Sequence, residues 1–118
     1  MSKKKLFISL PMNGKDELDI LNTRDQIFGA MSKVGDFELL ETYYREDAPK
    51  DASRLWYLGR SIQDLGLADL VIFAPGWQYA KGCVSEHHVC ETYGIKWVNW
   101  EDATEGLIKL LSDEDDLK

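Results

Sequence analysis

Short apolar runs alternate along the chain with longer stretches of helical periodicity. The third run, "DLVIFA", has no polar alternation, which is typical of a strand covered on both faces. Pro, Asn and Gly follow the first run, so the first strand should end in a loop. The apolar runs predict four β-strands: Lys5–Leu10, Phe37–Thr42, Asp69–Ala74 and Ile95–Trp100.

The segments between and after these strands have the pattern of helices. From Leu55 to Leu65, apolar residues recur at spacings of three, four and three, which indicates an amphipathic helix. In the first helix, Gly35 suits the C-terminal cap. The predicted helices are Asp16–Val34, Leu55–Leu65, Gly82–Tyr93 and Thr104–Leu111. The buried face of the first should be formed by Leu21, Phe28, Met31 and Val34.

Strands that alternate with helices predict an α/β fold with a parallel sheet and right-handed crossovers. We expect a three-layer flavodoxin/Rossmann-like fold, in which helices cover both faces of a four- or five-stranded sheet of order 2-1-3-4. The length of 118 residues suits one domain. That domain should span residues 1–112, and residues 113–118 should form an acidic flexible tail.

The charge, the hydrophobicity and the cysteine content of the chain argue against several classes of protein. The chain has 14 Lys and Arg against 21 Asp and Glu, a net charge of −7, which disfavours duplex nucleic acid as a partner. No apolar stretch reaches the about 20 residues of a membrane span, and no signal peptide is visible. Two cysteines seven residues apart give no disulfide framework. We therefore expect a cytoplasmic protein that does not bind membranes.

Two loops should form the ligand site. In a sheet of order 2-1-3-4, ligands bind outside the carboxyl ends of the strands, where the strand order reverses. Here the loops at that point are Ser9–Lys15 and Pro75–Gly82, which have the most unusual composition in the chain. Neither loop carries a dinucleotide or P-loop fingerprint. The "MNGK" loop could present backbone N–H groups to a phosphate or sugar hydroxyl, or it could be an ordinary turn.

Glu86 is the candidate reactive residue. It lies four residues after Gly82, in the first turns of a helix whose start should face the cleft. The helix dipole favours an ionised carboxylate there, which suits a nucleophile. Glu is also common near helix starts for the same electrostatic reason, so a structural role stays open. Trp77 could stack on a planar base, cap the core or contribute to an oligomer interface.

A metal site on the same helix is a further hypothesis. Cys83, His87 and Cys90 are spaced i, i+4 and i+7, so the three side chains can share a helix face. Zinc sites usually take ligands from separate elements or from C-x-x-C hooks, and no second hook exists. The two cysteines fit equally well as small apolar residues packed against the sheet. We expect no metal.

Three segments of the chain resemble a known family. They are "FISLPMNGK", "WYLGRSIQDLGLADLVIFAPGW" and "KGCVSEHHVCETYGIKWV". Together they resemble the nucleoside 2-deoxyribosyltransferase-like superfamily. They are most similar to its small DUF4406 branch, which is frequent in phage and bacterial genomes. The resemblance extends from Leu6 to about Val98, and its most specific part is the "PGW…G…E" pattern.

The resemblance implies an activity. In that superfamily a Glu attacks the anomeric carbon of a nucleoside or nucleotide, the base leaves, and water or another base resolves the glycosyl-enzyme. The matching residue is Glu86, and the reaction retains configuration, as in retaining glycosidases. The resemblance implies a homodimer and no cofactor. The substrate-binding positions expected from the loops and the resemblance are Ser9, Pro11, Met12, Asn13, Gly14, Ser61, Asp64, Gly76, Trp77 and Gly82.

The supporting residues of the family differ here. Phe7 stands where active members often carry a Tyr that orients the nucleophile, and Ser61 stands where they usually carry an Asp. Ala80 replaces an Asp that contacts the base in the transferases. A nucleophile needs an orienting partner and leaving-group assistance, so these changes bear directly on catalysis.

Two further departures leave alternative functions open. Pro11 and Asn13 stand at positions where the nucleotide hydrolases carry a Ser and an Arg for the phosphate. Asp64, one turn beyond Ser61, could supply an acid if its helix is rotated. One alternative is a non-catalytic nucleotide- or sugar-phosphate-binding protein on the same fold. The other is a metal-binding regulatory protein.

Overall fold

The computed structural model describes residues 3–12, 14–40 and 48–113. Within these ranges the strands are β1 (Lys4–Ser9), β2 (Phe37–Leu39), β3 (Leu70–Phe73) and β4 (Trp97–Asn99). The helices are α1 (Glu17–Val34), α2 (Arg54–Leu65), α3 (Lys81–Tyr93) and α4 (Glu105–Asp113). Short 3-10 turns, which the sequence patterns did not predict, span Trp77–Tyr79 and Trp100–Asp102.

The strands form one parallel sheet of order β2-β1-β3-β4, which confirms the predicted topology. In register, Ser9 of β1 pairs with Phe73 of β3, and Phe73 pairs with Asn99 of β4. The carboxyl ends of these three strands therefore lie side by side. The loop after β1 and the loop after β3 leave the sheet at that edge, where the strand order reverses.

Helices cover both faces of the sheet, so the fold has the three layers expected from the sequence. Side chains alternate between the two faces along each strand, which divides the apolar core into two clusters. On the face covered by α1 and α4, the cluster includes Leu6, Ile8, Ile27, Met31, Ile72 and Ile108. On the face covered by α2 and α3, the buried members are Phe7, Leu65, Val71, Phe73 and Cys90.

The buried face of α1 differs from the predicted one. The fully buried residues are Ile20, Ile27 and Met31, whose spacings of seven and four place them on one helix face. The predicted Leu21 and Phe28 are one position further along and are only half-buried. Leu21 was therefore wrong by one residue, because both members of the "IL" pair are apolar. Phe28 and Val34 are half-buried and pack against the same core cluster as Ile27 and Met31.

Element boundaries also differ from the predictions in places. β4 begins at Trp97 rather than Ile95, because the Ile95 N–H is already bonded to the Cys90 carbonyl of α3 at 3.0 Å. Gly94 makes this helix end possible by adopting a left-handed φ of 69°. α4 continues to Asp113, the first residue of the predicted tail.

Two predictions reach residues that the structure does not describe. The end of the predicted second strand includes residues 41 and 42, and the predicted tail includes residues 114–118; both lie outside the described ranges. Among the described residues, no helix has the length and apolar character that crossing a membrane requires.

Candidate functional site

A cavity of about 720 Å³ opens at the carboxyl edge of the sheet, between α2, α3 and the end of β1. Its volume lies within the about 300–1,000 Å³ of small-molecule sites. Most of its wall is apolar, with Met12, Leu55 and Leu58 among the lining residues. The deep end carries polar groups from β1 and α3. This is the site that the strand order predicted.

Glu86 is the buried acid of this cavity. It lies in the second turn of α3, and only 6% of its surface is exposed. The Ser9 hydroxyl, at the end of β1, donates a hydrogen bond of 2.6 Å to Glu86 Oε1. The sheet therefore anchors a side chain of the helix at the point where both meet the cavity.

The second oxygen of Glu86 faces the cavity. Glu86 Oε2 makes no hydrogen bond with a described residue, whereas Oε1 is bound by Ser9. The buried side-chain atoms without a partner in the described part of the chain are Trp77 Nε1 and Asn99 Oδ1. Oε2 is not among them, so it is accessible from the cavity that Glu86 lines.

Burial sets the protonation of Glu86. Loss of solvent raises the pKa of the Glu86 carboxyl to about 7, and the hydrogen bond from Ser9 acts in the opposite direction. The sequence predicted that a carboxylate at this helix start stays ionised, whereas a pKa of about 7 means that the protonated and ionised forms are both populated near neutral pH.

Cys83 lies beside the same serine. Burial raises the pKa of the Cys83 thiol to about 12, a side-chain hydrogen bond with Ser9 lowers it, and the charge of Glu86 raises it. The thiol is therefore neutral and unreactive at physiological pH. Cys83 forms part of the cavity wall one helical turn before Glu86. Both cysteines of the chain are free and buried.

Two cations at the cavity mouth escaped the sequence analysis. Arg54 is the first residue of α2 and Lys81 the first residue of α3, and both line the cavity with exposed side chains. Neither side chain forms an ion pair with another described residue. A signal was available for Lys81, because it directly precedes Gly82, where a helix start was expected at the cleft. No sequence signal placed Arg54 there.

Four of the predicted substrate-binding residues line the cavity with Glu86. They are Ser9, Met12, Ser61 and Gly82. Ser61 comes from the middle of α2, opposite the start of α3. Asn13 lies outside the described residues.

Other residues predicted for the site lie elsewhere. Pro11 is buried and lines a separate cavity of about 250 Å³ on the α1 side. It approaches Gly76, whose φ of +86° begins the turn after β3. Gly14 has a φ of +72° in a turn closed by a 3.3 Å bond from Lys15 N–H to the Met12 carbonyl. Asp64 does not line the cavity but pairs with Arg60 at 3.2 Å.

Trp77 lies against the core rather than in the cavity. Its ring stacks on His87 with centroids 4.5 Å apart and also contacts Phe73. His87 in turn contacts Trp97, with ring centroids 4.4 Å apart. Of the roles left open for Trp77, capping the core is the one that this packing matches.

The same packing separates the residues of the metal hypothesis. His87 lies in the aromatic cluster, Cys83 faces the cavity, and Cys90 is buried in the core. Across the ranges that the structure describes, no group of three His, Cys, Asp or Glu side chains is arranged to hold a metal ion.

No protein-family model and no curated protein matches the chain.

Proposed function

We propose that this protein is a nucleoside or nucleotide N-glycosidase or 2-deoxyribosyltransferase-like enzyme in which Glu86 is the nucleophile. One observation carries the proposal. A deeply buried carboxyl has one oxygen fixed by Ser9 and the other open to an apolar cavity of about 720 Å³ at the switch point of the sheet. Glu86 is buried without an ion-pair partner among the described residues, which is unfavourable for folding and typical of a group retained for chemistry.

The reaction proceeds in two displacements. The ionised Oε2 of Glu86 attacks the anomeric carbon, the bond from that carbon to the base nitrogen breaks, and the base takes the electron pair and a proton from water. A glycosyl ester of Glu86 results. In the second step water or another base attacks the same carbon, and the ester bond breaks to regenerate the carboxylate. Two inversions give net retention of configuration.

Ser9 acts as a positioning residue for the nucleophile. Its hydroxyl donates to Oε1, which fixes the carboxyl plane and leaves Oε2 directed at the cavity. The neighbouring Phe7 is fully buried and carries no hydroxyl, so it cannot orient the acid. Ser9 therefore supplies from the end of β1 the orientation that the family pattern assigns to a first-strand tyrosine.

The cavity wall suits a planar base. Leu55, Leu58 and Met12 present apolar surface, while the polar groups are concentrated near Glu86. Apolar contact on the faces of a base and polar contact near the sugar is the usual division in small-molecule sites. Exclusion of water from such a site also strengthens the interaction between the carboxylate and a developing oxocarbenium charge.

Release of free base tests the proposal. Wild-type protein is incubated with nucleosides and their 5′-monophosphates, and free base is measured by liquid chromatography. Glu86→Gln keeps the shape of the side chain but cannot form the glycosyl ester, so base release should cease. Intact mass spectrometry should detect a sugar-sized adduct on wild type and none on Glu86→Gln. Equal base release by both proteins would place the chemistry elsewhere.

A second candidate is a non-catalytic nucleotide- or sugar-phosphate-binding protein. The observation that favours it is the absence of a second carboxyl: Glu86 is the one acidic residue among the described residues that line the cavity. Retaining glycosidases normally use two carboxyl groups, and Asp64 is paired with Arg60 instead. Saturable nucleotide binding by wild type without base release or adduct would support this candidate.

A further inference from the structure

The charge of the cavity is opposite to that of the chain. The whole chain has seven more acidic than basic residues. The described residues that line the cavity include two cations, Arg54 and Lys81, and one acid, Glu86. Because burial raises the pKa of that acid to about 7, part of the population carries no compensating negative charge there. The described lining of this cavity is therefore net positive in an acidic protein, which favours an anion there.

The two cations come from the starts of two different helices that line the cavity. Arg54 begins α2 and Lys81 begins α3, and each side chain is exposed without an ion-pair partner in the described part of the chain. The first N–H groups of α3 add to this field, because its N-cap residue, Ala80, has no side chain that can accept from them. By contrast, Ser53 caps α2 by accepting from Trp56 N–H at 3.1 Å.

We infer that Arg54 and Lys81 form an anion clamp that selects ligands carrying a phosphate monoester. The planar guanidinium of an Arg can bind two phosphate oxygens at once, and a Lys ammonium adds a point charge from the other side. This inference rests on the proposed function for the identity of the sugar to which the phosphate is attached. It assigns the phosphate to the side chains of Arg54 and Lys81 rather than to backbone N–H groups of the "MNGK" loop.

The spacing along α3 fits one nucleotide. Lys81 lies five residues before Glu86, which is about 7.5 Å along a helix axis. In a nucleoside 5′-monophosphate, the anomeric carbon and the phosphate lie at opposite ends of the sugar. With Glu86 at the anomeric carbon, the phosphate then extends toward the mouth. The clamp offsets the repulsion between the phosphate and the Glu86 carboxylate.

Calorimetric binding tests the clamp. The probes are the common 2′-deoxynucleosides, their 5′-monophosphates and inorganic phosphate, and each variant is made in a Glu86→Gln background to prevent turnover. The parent should bind at least one monophosphate about tenfold or more tightly than its nucleoside. Arg54→Gln and Lys81→Gln should each weaken monophosphate binding about five- to tenfold, and nucleoside binding less than twofold. Added salt should weaken monophosphate binding in the parent more than in the double variant.

A charge-matched control isolates the site. Lys3→Gln/Lys33→Gln also removes two positive charges, but these residues lie near the amino ends of β1 and β2, at the opposite edge of the sheet. This control should retain the parent preference for monophosphates. Equal affinity for nucleosides and monophosphates, no binding of any probe, or equal losses in the control and the Arg54→Gln/Lys81→Gln variant would each overturn the clamp.

The clamp and the proposed chemistry can fail separately. If wild type releases no base while the parent prefers monophosphates through Arg54 and Lys81, the clamp stands and the enzyme proposal fails. If wild type releases base from nucleosides and monophosphates at equal kcat/KM and both bind equally, the chemistry stands and the clamp fails.

Discussion

Glu86 and His87 are adjacent on α3 and lie in opposite environments. Glu86 turns toward the cavity, where the Ser9 hydroxyl donates a hydrogen bond to one of its carboxyl oxygens. His87 turns toward the sheet, where Phe73, Trp77 and Trp97 surround its ring. The aromatic side of α3 is built by packing that favours folding, whereas the acidic side buries a group whose ionisation opposes folding. The difference separates a face of α3 that packs against the core from a face that presents a buried acid to the cavity.

The largest expected effect concerns the pH dependence of stability. The folded-state pKa of Glu86 is about 7, against 4.5 for an unperturbed Glu. The folded protein therefore binds one more proton than the unfolded chain between these values, so its stability falls as pH rises from about 4.5 to 7. Each pKa unit corresponds to about 1.36 kcal/mol, so the full change is about 3 kcal/mol.

Glu86→Gln should remove this pH-dependent loss. The variant should be more stable than wild type at pH 8, by up to about 3 kcal/mol, and the difference should shrink toward pH 4.5. Urea unfolding at several pH values measures it. Glu91→Gln is a suitable control, because that acid is exposed on the same helix. Parallel curves for wild type and Glu86→Gln would contradict a raised pKa.

Ser9→Ala should have the next largest effect. The hydrogen bond from Ser9 lowers the pKa of Glu86, so its removal should raise that pKa further above 7. In the proposed mechanism Glu86 reacts in its ionised form, so the rate of base release should increase with pH and level off above the pKa of Glu86. In Ser9→Ala the rise in rate, which is the limb of the pH profile, should occur at higher pH. The maximum rate should fall about tenfold, because the Glu86 carboxyl is no longer oriented.

The pH at which base release reaches half its plateau distinguishes a loss of Ser9's effect on Glu86 from a general loss of stability. Ser9→Thr retains a hydroxyl and should restore the wild-type limb if the added methyl group fits. Cys83→Ala, which alters the same wall without removing the hydroxyl, should leave the limb near its wild-type position. A lower rate in Ser9→Ala with an unchanged limb would contradict the role assigned to Ser9.

Substitutions of Trp77 test whether the aromatic packing around His87 serves stability rather than ligand binding. Trp77→Ala should lower the free energy of unfolding by about 2 kcal/mol, since the ring is half-buried against His87 and Phe73. Trp77→Phe should lower it by less than about 1 kcal/mol, because it retains a ring and removes the buried Nε1 donor that has no partner among the described residues. Both variants should bind nucleotides within twofold of wild type. A tenfold loss of affinity in Trp77→Phe would restore the base-stacking role.

The sequence was sufficient for the fold because local patterns determine the order of elements. Continuous apolar runs and the helical spacing from Leu55 to Leu65 predicted the strands, the helices and the edge of the sheet at which the cavity lies. Glu86 was found in the same way, from its position after Gly82. The residues alone were therefore enough to place a side chain within its helix or strand. They were also enough to identify the edge of the sheet at which the cavity lies.

The partners of Glu86 could not be predicted, because they depend on long-range packing. Ser9 and Glu86 are 77 residues apart, and their hydrogen bond depends on how α3 sits over β1. The pKa of Glu86 depends on the burial that this packing creates. Trp77 looked exposed in a loop pattern, yet the turn Trp77–Tyr79 directs its ring onto His87. These are properties of the assembled layers and not of any one segment.

The smallest expected effect comes from Gly82, which lines the cavity in the first turn of α3. A Cβ added there meets no heavy atom within 4 Å, so Gly82→Ala introduces no clash in the empty cavity. Ala is favoured over Gly within helices by up to about 1 kcal/mol. At this first-turn position the free energy of unfolding should therefore rise by only about 0.3 kcal/mol. If nucleotides approach Glu86 over the start of α3, the added methyl group should weaken nucleotide binding about two- to fivefold.

Gly29→Ala provides the control, because Gly29 is also helical and open but lies in α1, away from the cavity. It should raise stability with no change in binding. If wild type and Gly82→Ala bind nucleotides equally, the ligand does not pass over the start of α3 and reaches Glu86 from another side of the cavity.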